Sequence, residues 1–179
     1  LKNRIKKKLS ILQQENQKIS SSVKKDTTIQ NEKMTHYYSS WIYSALHVAC
    51  MISPQSMDEL SSRLNLPKKT ISRFINEIKD MGLVELINSK WTTKVSNVHL
   101  ASDQHVAMIG HISWRNRSIQ QLHEAHEHGL HYSAIHCLSK ADIEVIHKTL
   151  KQAILDSRDV IDRSASETLG VLCLDWYEI

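Results

Sequence analysis

The spacing of hydrophobic positions changes period several times along the chain, and each change marks an element. From Met34 to Met51 (MTHYYSSWIYSALHVACM) apolar residues cover most of a helix circumference. Tyr37, Trp41, Ala45 and Val48 form one row, and Tyr38, Ile42, Leu46 and Ala49 the next. A helix apolar over so wide an arc belongs at the centre of a core, and its aromatics read as core, not as a stacking platform. Ser53-Pro54-Gln55 ends it.

Two shorter amphipathic patterns follow. Ser56 with Glu59 three residues on fits a capping box, opening a helix over Met57–Leu64 that turns Met57, Leu60 and Leu64 inward. Asn65-Leu66-Pro67 makes the turn, with Leu66 as an apolar plug and Pro67 suited to the first positions of the next helix. That helix, Lys68–Met81, buries Ile71, Phe74, Ile75 and Ile78 and stops at Gly82. Leu83–Ile87 alternates as a strand, Asn88-Ser89-Lys90 turns, and Trp91-Thr92-Thr93 returns. Helix, turn, helix, hairpin is the layout of a winged helix-turn-helix.

The flanking segments are less regular. Residues 1–19 read as a helix with a narrow seam of Ile5, Leu9, Leu12 and Ile19, which packs on its own domain or pairs as a short coiled coil; residues 20–33 are a polar linker. Residues 94–105 look like an extended connection. Val106–His128 follows as a helix with Ile112, Ile119 and Leu122 on its apolar side, closed by Gly129. Leu130–Leu138 alternates as a strand, Ser139 caps a helix from about Lys140 to Arg163, and Gly170–Trp176 is a final strand. The apolar stripe of that last helix is Ile143, Ile146, Leu150, Ile154 and Val160 or Ile161. The expected class is mainly α with small β (α+β). Its parts are a basic N-terminal helix and linker (1–33), a winged helix-turn-helix domain (34–94) and a C-terminal helical and strand-helix-strand domain (95–179).

Composition adds limits. The 179 residues include only 4 Gly and 2 Pro, which favours long regular elements over loop-rich β architecture. No run approaches the ~18 apolar residues of a membrane span, and nothing resembles a secretory signal, so a cytoplasmic protein without a membrane partner is expected. The chain begins at Leu1, as a fragment or processed product would. Cys50, Cys137 and Cys173 are an odd, scattered set in apolar runs, expected as free buried thiols in a reducing compartment.

Charge is uneven. Residues 1–33 carry nine Lys/Arg against three Asp/Glu, whereas the rest carries 14 against 16. A basic arm on a near-neutral body suits a polyanion. The second helix of the pair displays Lys68, Lys69, Thr70, Ser72, Arg73, Asn76 and Lys79 opposite its apolar face, and Lys90 sits at the hairpin turn. A helix fits the major groove with its N-terminal residues reaching base edges. Lys and Arg read guanine or neutralise phosphate, and Ser, Thr and Asn reach either. These eight residues are therefore the candidate contacts to double-stranded DNA. Operators are commonly two-fold, which makes a homodimer the expected form.

Other chemistries fare worse. Between residues 56 and 94 seven Lys/Arg stand against five Asp/Glu, so a winged helix serving only as a protein-docking or dimerisation module is the alternative. His123 and His126 share a helix face beside Glu127, but no HExxH or Cys/His pairing accompanies them, and neither a metal nor a cofactor is expected. The chain lacks a phosphate-cradling Gly loop, a nucleophile elbow and a tight carboxylate pair, and no enzyme is read from it.

Several stretches carry a resemblance. HYYSSWIYSAL at 36–46, DMGLVEL at 80–86, KWTTK at 90–94, WRNRSI at 114–119, HYSAIHCLSKADI at 131–143 and a terminal LDWYEI occur in order over about residues 34–179. In this the chain resembles a bacterial family of uncharacterised proteins, commonly described as transcriptional regulators and defined by a domain of unknown function. The resemblance implies a winged helix, often preceded by a lambda-repressor-like helix-turn-helix. Nothing in residues 1–33 looks like one; if the chain is a cut fragment, the principal DNA reader would lie outside it. The family pattern tends to close on Phe-Pro, where this chain has Trp176-Tyr177-Glu178-Ile179. It implies no catalytic residues.

Overall fold

A computed structural model describes residues 31–95, 104–124 and 129–179. The helix expected over 1–19, the linker as far as residue 30 and most of the 94–105 connection lie outside them. The described fold is mainly helical with one small two-stranded antiparallel sheet. It divides into two units, Leu1–His111 and Ile112–Ile179.

The first unit contains α1 (Asn31–Tyr38), α2 (Trp41–Ile52), α3 (Met57–Leu64), α4 (Lys68–Asp80), β1 (Val84–Ile87) and β2 (Lys90–Thr93). The single helix expected over 34–51 is thus two. Serines 39 and 40 divert backbone bonding to their own side chains, as short hydroxyl residues do. Ser39 Oγ donates to the His36 carbonyl at 2.7 Å, and Ser40, extended at φ −140°, accepts from Ile42 N to cap α2. The break resets the helical phase, so Tyr37 is buried while Val48, expected on the same row, is exposed.

Helix α2 runs through the core, burying Tyr43, Ala45, Leu46, His47, Ala49 and Cys50. Burial pushes the Cys50 thiol up to about 12, so it stays protonated and unreactive. The capping box of α3 is complete: Glu59 N donates to Ser56 Oγ at 3.2 Å and Ser56 N donates to Glu59 Oε2 at 2.5 Å. Leu60 and Leu64 are buried, and Met57 and Leu66 half-buried. Asn65 ends α3 in the left-handed region at φ 51°. Helix α4 buries Ile71, Phe74, Ile75 and Ile78 and is followed by Gly82 at φ +83°, a conformation that favours glycine.

The hairpin pairs Val84 with Thr93 through to Ile87 with Lys90. Asn88 and Ser89 both have positive φ, 49° and 61°, which makes a two-residue type I′ turn. Lys90 therefore begins β2 and is not part of the turn. Gln55, just before α3, exchanges backbone bonds with Trp91 at 2.8 and 2.7 Å, tying that connection to the hairpin edge.

One buried polar network lies in this core. His47 Nδ1 is 3.1 Å from the Tyr37 hydroxyl, and His47 Nε2 is 2.8 Å from the Val95 carbonyl and 3.2 Å from Thr93 Oγ1. Desolvation holds the His47 imidazole below its ordinary pKa, and the bond to Val95 opposes this only in part. A neutral ring accepting from Tyr37 and donating to Val95 satisfies both nitrogens and joins α1, α2 and the end of β2.

Helix α5 (Gln104–Glu124) spans the boundary between the units. In the first unit, Val106 is buried, and a Cβ at Gly110 would stand 3.1 Å from Tyr38 Cδ1, so the missing side chain is what allows that approach.

The second unit comprises the rest of α5, a stretch without regular structure over 129–139, α6 (Lys140–Arg163) and the residues after it. Helix α6 has the predicted bounds, and Ser139 Oγ caps it by accepting from Asp142 N at 3.2 Å. The strands expected over 130–138 and 170–176 do not form: neither stretch joins a ladder among the described residues. Alternation prepares a backbone for pairing, but a strand exists only once a second strand takes its hydrogen bonds. Among the described residues the strand-helix-strand unit is thus a helix between two segments without regular structure. Ile112, Ile119 and Leu122, the expected inner side of α5, are exposed, and so is Cys137, expected as a buried thiol. Arg115 anchors the C-terminal segment, donating from Nε to both Asp175 carboxylate oxygens at 2.8 Å and from Nη2 to the Leu174 carbonyl at 3.3 Å.

Candidate nucleic-acid interface

Helix α4 owes its place to its own pattern. Its apolar residues turn inward at i, i+3, i+4 and i+7, so the face at the opposite side must meet solvent. Lys69, Arg73 and Asn76, at i, i+4 and i+7, lie on the outermost stripe and are exposed. Lys68, Ser72 and Lys79 run along one flank; Thr70 lies on the other, on the same side as Glu77. Ser72 and Thr70 are half-buried, the rest exposed. All seven α4 candidates thus lie off the buried face.

Several candidates already have partners. Lys68 Nζ forms an ion pair with Asp58 on α3, and Lys90 Nζ lies 4.0 Å from Glu59 Oε1 in the same first turn. Asn76 Nδ2 donates to the Ser72 carbonyl at 2.7 Å, folding its amide back onto the helix. The Arg73 guanidinium sits 4.6 Å from the Phe74 ring centroid, a cation–π contact that stiffens a long side chain without neutralising it. Lys69 and Lys79 form no ion pair among the described residues. The most available positive charge is therefore Lys69 and Arg73, near the helix start, where the helix dipole is also positive.

Acidic groups border this surface. Asp58 and Glu59 occupy the first turn of α3, and the capping bonds from Ser56 hold the Glu59 carboxyl below its usual range, so it stays ionised. Glu77 is held in place differently. Tyr43 Oη donates to Glu77 Oε2, and His36 Nε2 lies 2.7 Å from that oxygen and 2.9 Å from Tyr43 Oη. These bonds, with Tyr43 the largest influence, depress the Glu77 pKa, while burial raises that of Tyr43 far above the ordinary phenol value. The triangle of His36, Tyr43 and Glu77 joins α1 and α2 to α4 and fixes the rotation of the outward stripe. Sequence reasoning missed it, as it missed His47. The only available signal was the concentration of ring residues in HYYSSWIY, which a single continuous helix arranges wrongly.

Among the described residues, no group of three or more His, Cys, Asp or Glu is placed to hold a metal ion. His126 and Glu127, part of the possible metal cluster, lie outside those residues. No helix among the described residues is long and apolar enough to cross a membrane.

Fold and site together define a mainly helical α+β protein that sets one basic, solvent-facing helix beside a two-stranded hairpin. The chain belongs to the family described as Domain of unknown function (DUF4423), which it matches over residues 20–177. No curated protein and no solved structure matches it.

Proposed function

We propose that the protein is a DNA-binding transcriptional regulator in which α2 to β2 act as a winged helix-turn-helix. In this reading α4 enters the major groove, the β1–β2 hairpin is the wing, and the regulator works as a homodimer on a two-fold site. The observation that carries the reading is the exposed stripe of Lys69, Arg73 and Asn76 on a helix whose other face is locked into the core. Lys69 and Arg73 lie near the N-terminal end that reaches base edges. Lys68 and Lys90 contribute by exchanging Asp58 and Glu59 for phosphate. Both existing pairs are solvent-exposed, and such pairs are weak because water and salt screen them, so phosphate competes readily for either lysine.

Fluorescence anisotropy with labelled duplex DNA tests this. Binding should weaken steeply between ~50 and ~200 mM salt, as counterion release requires. Lys69→Glu with Arg73→Glu should reduce affinity by at least tenfold at fixed salt. Equal affinity for DNA at both salts, or an unaffected double variant, sinks the reading.

One observation favours a second reading. The acidic first turn of α3 lies beside the basic first turn of α4, giving a surface of mixed sign that suits a protein partner better than a uniform polyanion. A winged helix serving as a docking module without DNA binding would leave the anisotropy flat while α4 variants weaken capture of that partner.

A further inference from the structure

We infer that residues 129–179 form the interface between two copies of this chain, each copy supplying the backbone and apolar partners that the other's strand-like segments lack. The inference does not depend on DNA binding by α4.

Three observations lead there. From 129 to 179 every residue is described, and not one is buried. Within this stretch α6 is a well-capped helix of 24 residues whose Ile143, Ile146, Leu150 and Ile154 stripe is only half-covered. Helices of globular proteins draw most of their stability from packing an apolar face, so a stripe left half-wet needs further cover. Second, the stretches 130–138 and 170–176 have strand-like sequences but neither helix nor ladder. Unpaired backbone in such a stretch is a template for another strand. A second copy brings the same two stretches, so each unmet strand finds an identical one across a two-fold axis, the commonest symmetry of soluble oligomers.

The third observation is the amount and sign of the surface. Leu130, Tyr132, Ile135, Val171, Leu172 and Tyr177 are each more than half exposed. At ~150–230 Å² per side chain those six leave roughly 800 Å² in water, comparable with the ~800 Å² each partner contributes to a standard stable interface. Charge separates a second copy from a polyanion: residues 140–179 hold five Lys/Arg against eight Asp/Glu. Within α6 the first half carries Lys140, Lys148 and Lys151 against Asp142 and Glu144; the second carries Asp156, Asp159 and Asp162 against Arg158 and Arg163. Two copies of α6 packed antiparallel bring a net positive half against a net negative one, twice.

Light scattering and amide hydrogen exchange on the full chain test the inference. The chain should run at twice its 20.6 kDa mass. Amides of 130–138 and 170–176 should be protected at high concentration and exchange freely on dilution below the dimer's dissociation constant, a readout that needs no variant. Ile135→Asp, which places charge in the interface, and Ser133→Pro, which removes a ladder donor, should each give the monomer mass with unchanged exchange in α2 and α4. Both residues are exposed in the single chain, so neither change touches its core. A monomer at every concentration overturns the inference. So does a dimer that survives both substitutions, or one lost instead on Leu9→Asp in the N-terminal seam while Ile135→Asp leaves it intact.

Discussion

Two helices with equally good local signals end in opposite circumstances. Helix α3, only eight residues long, completes a capping box and buries Leu60 and Leu64. Helix α6, three times longer and also Ser-capped, buries nothing. The difference follows their units. In Leu1–His111 the described helices surround α2 and share one core, with His47 and the His36–Tyr43–Glu77 triangle pinning the contacts. In Ile112–Ile179 the only buried residue among those described is Ser113. Capping and periodicity decide that a segment is helical; they do not decide whether its apolar side has anything to meet.

The sharpest way to break that comparison is to cut into the core of the first unit and into the apolar stripe of α6. Leu46→Ala, at a fully buried site, should cost about 2–5 kcal/mol in urea unfolding, since it removes packing and leaves a cavity. Leu150→Ala, at a half-covered site on α6, should cost less than about 1 kcal/mol when measured on dilute, monomeric chain. Comparable losses would mean that α6 already sits in a core.

A smaller effect separates the two caps. Ser56→Ala removes one side of the α3 capping box and should lower the stability of the first unit by about 1 kcal/mol. Ser139→Ala should instead lower far-ultraviolet helical signal from α6 and leave the cooperative unfolding midpoint unmoved. A shifted midpoint for Ser139→Ala would show that α6 unfolds together with the first unit.

The gentlest test is pH. His47 is held below its ordinary value of 6.5 in the fold, so below about pH 6.5 the unfolded chain takes up a proton that the folded chain resists. Stability of the first unit should be full above that pH and fall as acid is added. A second loss should begin below the ordinary carboxyl value of 4.5, as Glu59 and Glu77, both depressed in the fold, are protonated. Amide exchange in α2 and α4 should therefore quicken between pH 6.5 and 4.5 after correction for the intrinsic rate. His47→Gln should remove that first phase; its persistence would point to another group.

Much of the candidate interface was legible in advance. The bounds of α3 and α4 and the glycine stop follow from caps, prolines and a period of 3.6, all of them interactions within a few residues. The outward position of Lys69, Arg73 and Asn76 follows from the same periodicity once the buried side is known. Which cations are available was not legible. Lys68 and Lys90 find Asp58 and Glu59 only because α3, α4 and the hairpin converge, and no spacing along the chain encodes that convergence. The Ser39–Ser40 break was missed because both serines lie in an otherwise unbroken helical pattern.

Local chemistry alone, then, settled where α3, α4, the β1–β2 hairpin and α6 lie, because helix caps and tight turns are made by neighbours in the chain. Tertiary structure decided the rest: the neutral buried His47, the lysines drawn to α3, and the unpaired 130–138 and 170–176. Each of these depends on groups far apart in sequence. Strand pairing depends on them most, since an alternating segment fixes which residues can face inward but not whether a partner strand is there to receive its hydrogen bonds.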